Sequence, residues 1–403
     1  MRIVIVNATR RKVGGVESYL EQLLPAWEAQ EHEAACLFES GADAASDGIR
    51  IRHEVPTWQA DPSNATTALQ ALQAWKPDLI FLHSQIDPSL KDRLLSIAPG
   101  VFYAHNYCGT CISGTKRHAF PQAWVCHKVF SPACLAHYFP RRCGGLNPLT
   151  MVRRYRVERA WLEELRDFAA IVVASEHMAL EYRRHGFQNV AVAGLPVRSH
   201  PDASARRLPL DQREPLQLLF VGRMESYKGG KVLLDALPEA RRKLGRNLRL
   251  VFAGDGRQRR NWEVHAKAIA DRNTGVEVEF AGWLSGAFMD EAMRRSHLLV
   301  LPSQWPEPFG LVGLEAGRHG LPTAAFDVGG ISDWLKEGVN GHLAPGDPPA
   351  ASDLANTIFR CLFDEAHYTK LAEGALEAVQ GFSMAQHFEK LLPVLSRSAF
   401  PHL

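Results

Sequence analysis

The sequence predicts an α/β protein built from two doubly wound domains. Short runs of Val, Ile and Leu alternate with amphipathic segments along the chain, a rhythm typical of parallel sheets that are covered by helices on both faces. The rhythm breaks at residues 196–215, which are rich in Pro, Arg, Asp and Ser and indicate a linker. The chain has 403 residues, which is enough for two hydrophobic cores.

Six buried strands are predicted before the break. They are Ile3–Val6, Ala35–Phe38, Leu79–Leu82, Val101–Ala104, Ile171–Ala174 and Val190–Ala193. Amphipathic helices are predicted at Val16–Trp27 and Glu176–Arg184. The first apolar run is too short for a secretion signal, so we interpret it as a strand.

The pattern restarts after the break. Its strands are Leu216–Val221, Leu248–Ala253, Val276–Ala281 and Leu298–Leu301. A helix is predicted from Leu311 to near Gly320, and a terminal amphipathic helix at Met384–Arg397, while Phe326–Ile331 and Gly338–Gly341 are assigned to turns. We therefore predict domains at residues 1–200 and 201–384, followed by a terminal segment at 385–403. Doubly wound domains bind ligands at the carboxyl ends of their strands, so we expect a site in the cleft between the domains.

Composition narrows the class of protein. The chain has 46 Lys and Arg against 44 Asp and Glu, for a net charge of +2, so its overall charge does not call for a nucleic-acid partner. No stretch approaches the ~18 apolar residues of a membrane span. We expect a cytoplasmic protein whose thiols are reduced.

Glu307 and Glu315 are the most informative pair of residues. Pro306 and Pro308 place Glu307 in a loop, because proline does not fit inside a helix. Glu315 lies about one turn into the helix that follows. The start of that helix offers free N–H groups and a partial positive charge, which attract phosphate. Its residues are Phe309, Gly310, Leu311 and Val312.

This segment resembles the Glu-x7-Glu signature of retaining GT-B glycosyltransferases of the "group 1" family 4. The resemblance implies two Rossmann-like domains that face a cleft, with the terminal helix packed back on the first domain. It implies a metal-independent hexosyltransferase of polysaccharide biosynthesis. The donor would be a UDP- or GDP-linked nucleotide-sugar and the acceptor a glycan or a lipid-linked glycan, with no cofactor required. The specific part of the resemblance covers residues 216–345.

The resemblance also implies a set of donor-binding residues. Arg223 and Lys228 would neutralise the diphosphate, since the departing group gains negative charge in the transition state. His105, at the end of a predicted strand, would hydrogen-bond to the sugar. The remaining candidates are glycines and neighbouring residues at strand ends, namely Gly14, Gly15, Gly254, Trp283 and Leu284. Gly14 and Gly15 also fit an ordinary strand-to-helix turn, and Trp283 fits either stacking on the base or packing.

The residues leave the role of Glu307 open between a nucleophile and an acceptor of sugar hydroxyls, and we favour the second. Glu315 is assigned to the ribose. We expect the acceptor hydroxyl to attack from the face that the diphosphate leaves.

A cysteine-rich insert is predicted at residues 106–150. Cys108 and Cys111 form a CxxC pair, and Cys126, Cys134 and Cys143 follow. The pattern is compatible with structural zinc, but five cysteines are one too many for a four-thiolate site, so zinc and free thiols both stay open. No catalytic metal is assigned.

The segment Met151–Trp161 is a basic, partly amphipathic helix. It fits peripheral contact with an anionic membrane that carries a lipid-linked acceptor, or a solvated helix face. Two alternatives to transfer stay open: another GT-B activity such as sugar-nucleotide epimerisation, and a non-catalytic nucleotide-sugar binding protein.

Overall fold

The structure is a computed structural model that describes residues 1–12, 14–40, 48–61, 64–198, 209–210 and 215–401. These residues form two parallel sheets, one on each side of the predicted linker, and a small antiparallel ribbon. The predicted domain boundary between residues 200 and 201 lies outside the described residues and stays a prediction.

The first half alternates strands and helices as the sequence predicts. Its elements are β1 (Arg2–Thr9), α1 (Gly15–Glu28), β2 (Glu33–Ser40), β3 (Thr57–Gln59), α2 (Ala65–Trp75), β4 (Leu79–Leu82), α3 (Pro88–Leu95), β5 (Gly100–Ala104), β6 (Arg117–His118), β7 (Trp124–Val125), α4 (Ala133–Tyr138), α5 (Pro148–Glu164), β8 (Ala170–Val173), α6 (Glu176–Arg184) and β9 (Val190–Val192). The six predicted strands are confirmed with small shifts at their ends, and β3 is an edge strand that was not predicted.

The first sheet has the order β3-β2-β1-β4-β5-β8-β9, and its neighbouring strands are parallel. Strand β1 lies inside the sheet, and its run Ile3–Val6 is fully buried because it pairs with a strand on each side. Parallel strands bring their carboxyl ends to one edge. That edge carries Gly14 and Gly15 after β1, His83 after β4 and His105 after β5.

The second half repeats the architecture. Its elements are β10 (Leu216–Val221), α7 (Gly230–Leu244), β11 (Leu248–Ala253), α8 (Arg259–Arg272), β12 (Val276–Gly282), α9 (Ala287–Arg295), β13 (Leu298–Leu301), α10 (Leu311–Gly317), β14 (Thr323–Asp327), α11 (Ile331–Trp334), β15 (Gly341–Pro345), α12 (Ala351–Leu362), α13 (Glu365–Gln380) and α14 (Met384–Ala399). The sheet order is β12-β11-β10-β13-β14-β15, again with parallel neighbours.

One sequence assignment in this half is partly wrong. Phe326 and Asp327 were assigned to a turn, but they end β14, which pairs in register with β15. Gly341, also assigned to a turn, begins β15. The turns themselves are Val328–Gly330 and Gly338–Asn340, between these strands and their neighbours.

The last helix, α14, contacts the first sheet at β4, β5, β8 and β9. The contact is partly polar: the buried Tyr19 hydroxyl lies 2.8 Å from His387 Nε2, and His387 Nδ1 lies 2.8 Å from the Gly194 carbonyl oxygen. A carbonyl can only accept, so Nδ1 carries the proton and Tyr19 donates to Nε2. The Phe388 ring packs against Trp27 in a tilted arrangement, with 4.9 Å between ring centroids.

The insert forms a small subdomain between β5 and α5. Its own hydrophobic cluster contains three buried residues, Ile112, Phe130 and Tyr138. The insert also contacts the second half, because the Arg117 guanidinium donates to Gln304 Oε1 at 2.8 Å. Helix α5 is largely exposed, with Trp161 as its buried residue. Among the described residues, no helix is both long and apolar enough to cross a membrane.

We expect Tyr19→Phe to destabilise the protein by about 1–3 kcal/mol, because the change leaves the buried His387 Nε2 without its donor. Chemical denaturation followed by tryptophan fluorescence measures the change. Tyr138→Phe is the matched control, since that buried hydroxyl has no hydrogen-bond partner among the described residues. Equal stability of the Tyr19→Phe protein and the wild type would contradict the role given to this contact.

Candidate functional site

Glu307 lies in the loop between β13 and α10, as the flanking prolines predict. The carboxylate is buried, and its Oε1 accepts hydrogen bonds from Lys228 Nζ at 2.7 Å and from the Ser303 hydroxyl. The Lys228 ammonium also lies 5.4 Å from the ring centroid of Trp305, within the range of a cation–π contact. The structure therefore brings the predicted acid and the predicted cation into direct contact.

The backbone of this loop is fixed from both halves of the chain. Within the second half, Gly330 N–H donates to the Glu307 carbonyl at 2.7 Å. The first half supplies the Tyr107 hydroxyl, which donates to the Pro306 carbonyl at 2.9 Å, and the Ser175 hydroxyl, which donates to the Pro308 carbonyl at 2.6 Å. The carbonyls on both sides of Glu307 are thus satisfied, so its side chain is placed by a rigid loop.

Helix α10 begins where the sequence predicts. Gly310 has φ of +80°, a conformation that favours glycine, and Leu311 and Val312 follow it at the half-buried helix start. Phe309 faces the core instead, 5.7 Å from the Phe382 ring, and its carbonyl accepts from Trp334 Nε1 at 2.7 Å. Its side chain and its carbonyl are therefore used within the protein, and its predicted part in donor binding stays a prediction.

Glu315 is half-buried in the middle of α10. Burial raises the pKa of this carboxyl, and the charges of Arg318 and Arg198 act in the opposite direction. Burial in turn lowers the pKa of Arg318. A carboxylate with basic groups nearby can accept hydrogen bonds from ribose hydroxyls, which is the role that the sequence suggested.

Lys228 owes its position to a glycine. It ends a short 3-10 helix, Ser226–Lys228, and Gly229 follows with φ of +76°. A Cβ on Gly229 would lie 1.7 Å from the Pro302 carbonyl oxygen, so the loop after β10 reaches the loop after β13 only because residue 229 has no side chain. Arg223, on the same loop, is exposed.

The predicted glycines serve two different purposes. Gly254 has φ of +139°, and a Cβ there would lie 2.1 Å from the Gly222 carbonyl oxygen, so packing of the two loops requires it. Gly14 and Gly15 are exposed, and a Cβ on either would meet no atom of the described residues within 4 Å. The described part of the chain therefore leaves the space beside these two glycines free.

The side chains of Trp283 and Leu284 differ in their exposure to solvent. Leu284 is half-buried and packs against the core, whereas the Trp283 side chain is 66% exposed. This exposure favours stacking over packing for Trp283, and its part in donor binding stays a prediction.

His105 is half-buried and belongs to a cluster of rings at the end of the first sheet. His83 Nδ1 lies 3.1 Å from His105 Nε2, and the Tyr103 ring stacks on His105 at 4.4 Å. Burial, with His387 as a smaller cause, lowers the pKa of His105 to about 3. His105 is therefore neutral near pH 7, and it can exchange hydrogen bonds with hydroxyl groups without carrying charge.

Several residues of the site were missed from sequence. Ser303, Trp305 and Tyr107 all contact Glu307, Lys228 or their loop. Ser303 and Trp305 share the segment of Glu307, and Tyr107 lies two positions after His105, so proximity in sequence was the available signal. Their partners are set by tertiary contacts that no local pattern shows.

Two family models match the chain. "Glycosyl transferases group 1" matches residues 204–378, and "Glycosyltransferase Family 4" matches residues 13–197. Together the two matches span most of the chain.

The chain belongs to the group 1, family 4 glycosyltransferases.

Individual relatives agree with this family. The glycosyltransferase is 29% identical over 242 residues to alpha-D-kanosaminyltransferase of Streptomyces kanamyceticus, a match that covers 57% of this chain and 61% of that relative. It is 27% identical over 395 residues to glycogen synthase of Mycobacterium tuberculosis, covering 93% of this chain and 89% of the relative. The chain thus spans about three fifths of the first relative and most of the second.

Solved structures share the fold of this glycosyltransferase. Anabaena HepE in complex with UDP-glucose superimposes with a TM-score of 0.65 at 19% identity, over 98% of this chain and 99% of that one. At this identity the likeness shows the GT-B fold alone, two Rossmann-like domains.

The buried histidines of the glycosyltransferase make its stability depend on pH. Burial lowers the pKa of His105 to about 3 and that of His387 to about 4, below the ordinary value of about 6.5. The unfolded chain binds more protons below that value, so the stabilisation is complete above pH ~6.5 and falls as pH drops toward 4.

We therefore expect the free energy of unfolding to decrease from pH 7 to pH 5, by up to roughly 1.4 kcal/mol per pH unit for each buried histidine. Denaturant titrations at several pH values measure the slope. His105→Gln should flatten it, and His53→Gln, at an exposed position, should leave it unchanged. Equal slopes in all three proteins would contradict the assignment.

Proposed function

We propose that the protein is a retaining hexosyltransferase that moves a sugar from a UDP- or GDP-linked donor to a glycan or lipid-linked acceptor without a metal cofactor. The observation that carries the proposal is the contact between the buried Glu307 and the half-buried Lys228 at the carboxyl edge of the second sheet. It joins an acid suited to sugar hydroxyls and a cation suited to phosphate at one point.

Glu307 is suited to hold the transferred sugar. Its Oε1 accepts from both Lys228 and Ser303, and a carboxylate has a second oxygen with acceptor capacity of its own. We assign that oxygen to a sugar hydroxyl. Because Lys228 and Ser303 already engage the carboxylate, we favour positioning of the sugar over nucleophilic attack by Glu307.

Arg223 and Lys228 are proposed to stabilise the leaving nucleoside diphosphate. Arg223 is exposed on the same loop as Lys228, and a guanidinium can bind two phosphate oxygens at once. Preorganised cations at a position where negative charge develops lower the barrier. In this proposal the two side chains do what a divalent metal does in other transferases.

Sugar and base are assigned to opposite sides of the cleft. Gly14 and Gly15 leave open space beside the diphosphate, while His105 faces the sugar from the first half. Glu315 is assigned to the ribose and Trp283 to stacking on the base. A UDP-linked hexose is the first donor to test, because the structural neighbour HepE was solved with UDP-glucose.

A lipid-linked acceptor at the inner face of the membrane is supported by the surface of α5. Leu149 is 79% exposed and Val157 44% exposed, and Arg153, Arg154 and Arg156 lie between them in sequence. Exposed apolar groups among arginines fit an anionic lipid surface. In this proposal the enzyme works in the cytoplasm.

We expect Glu307→Gln and Lys228→Ala each to lower the rate of transfer by a factor of about 10²–10³, because each removes an interaction aimed at the transition state. Release of nucleoside diphosphate, measured with a panel of nucleotide-sugars and acceptors, follows the reaction. Lys231→Ala is the matched control, since Lys231 is an exposed lysine paired with Asp235 on α7.

Wild-type turnover in both variants would refute the mechanism. Interconversion of two nucleotide-sugars without an acceptor would favour the epimerase alternative. Donor binding without any turnover would favour a binding protein.

Gly15→Ala separates ligand binding from folding. A methyl group there meets no atom of the described residues within 4 Å, so we expect an unchanged melting temperature and a donor affinity lowered by about tenfold or more, through contact with the bound donor. Calorimetry measures the affinity, with the nucleotide-sugar that the transfer assay selects as donor.

Gly313→Ala provides the contrast. A Cβ there would lie 1.8 Å from the Trp334 ring, so we expect this variant to lose stability. If Gly15→Ala leaves donor affinity unchanged, the diphosphate does not approach this glycine loop.

A further inference from the structure

The insert contains a cavity that the catalytic proposal does not use. Its volume is about 20 Å³, which is enough to hold one particle the size of a water molecule. Four cysteines line it together with two histidines. They are Cys111, Cys126, Cys134, Cys143, His118 and His137.

The fold divides the five cysteines of the insert into four and one. Cys108 does not line the cavity: it packs on the core of the first sheet, where the Tyr182 hydroxyl donates to its carbonyl at 3.1 Å. The CxxC pair that the sequence suggested as a chelating unit is therefore split, because Cys111 faces the cavity and Cys108 faces away. Cys108 is therefore the fifth cysteine of the insert, which a four-thiolate site does not need.

Polar groups lie beside two of the four sulfur atoms. Lys116 N–H donates to Cys111 Sγ at 3.3 Å, and His118 Nδ1 lies 3.4 Å from Cys143 Sγ. The Lys116 and Lys128 side chains line the same cavity, but the Lys116 ammonium is already paired with Glu181 at 2.5 Å. Four thiolates around a divalent cation carry a net charge of about −2, and N–H donors beside the sulfurs would offset part of that charge.

The insert also needs a source of stability besides its core. Its hydrophobic cluster has three buried residues, and segments with so small a core usually rely on disulfides or a metal. The seven described cysteines form no disulfide.

We propose that Cys111, Cys126, Cys134 and Cys143 bind one structural Zn²⁺ as a four-thiolate site. A soft, closed set of four sulfur ligands is what Zn²⁺ prefers in structural sites. Among the described residues, no three His, Cys, Asp or Glu side chains already stand at metal-binding spacing, so binding requires the thiols to turn toward the cavity about their χ1 bonds, which have three staggered wells. The proposal does not rest on the proposed function.

The test is the metal content of the full chain, purified without chelators and without a metal-affinity tag. Elemental analysis should find about one Zn²⁺ per chain. Cys126→Ser and Cys143→Ser should lower that content severalfold. Cys108→Ser, which changes a cysteine of the same insert outside the cavity, should keep it.

A second measurement tests the proposal on the wild-type protein, in case the variants fail to fold. Wild-type protein exchanged with Co²⁺ should show the intense visible absorption and the sulfur-to-metal charge-transfer band of a tetrahedral thiolate site. Zinc far below one equivalent in folded wild-type protein would overturn the proposal. Iron in place of zinc, a disulfide between any two of the four cysteines, or loss of zinc in Cys108→Ser would do the same.

Discussion

The site of this glycosyltransferase depends on the ion pair between Lys228 and Glu307. The Glu307 carboxylate is buried and the Lys228 ammonium half-buried, and removing charge from water is costly unless further groups stabilise the pair. The pair persists because Ser303 donates to the same carboxylate oxygen and because the ring of Trp305 lies beside the ammonium. Two loops from adjacent strands, β10 and β13, are thereby joined at the point where the donor is proposed to bind. Gly229 makes the approach possible, since any side chain there would overlap the Pro302 carbonyl.

The first half completes this loop. The Tyr107 and Ser175 hydroxyls bind the carbonyls of Pro306 and Pro308, on either side of Glu307. Helix α14 adds a second connection, because it leaves the second half and packs on the first sheet through His387. The same histidine lies close enough to lower the pKa of His105. Contacts between the halves thus help to fix the loop that carries Glu307, and His387 adds to the effect of burial on the pKa of His105.

The sequence predicted those elements that are specified by a short run of neighbouring residues. Apolar runs gave the central strands of both sheets, and two prolines placed Glu307 in a loop. Strand β15, Gly-His-Leu-Ala-Pro, has no apolar run, so its pairing with β14 could not be predicted. Of the partners of Glu307, Ser303 is four positions away. Lys228 is 79 positions away and meets Glu307 only through the sheet, in which β10 and β13 are neighbours. A glycine pattern also does not distinguish packing from ligand binding, as Gly254 and Gly15 show.

The insert connects the proposed zinc centre to the loop that carries Glu307. Arg117 lines the cysteine cavity, and its guanidinium donates to Gln304 in the loop that carries Glu307. Burial lowers the pKa of Arg117 to about 10. If the proposed metal orders the insert, this hydrogen bond carries that order to one side of the loop that holds Glu307. The insert follows directly after β5. The end of this strand therefore leads within a few residues to His105, to Tyr107 and to the cysteine cavity.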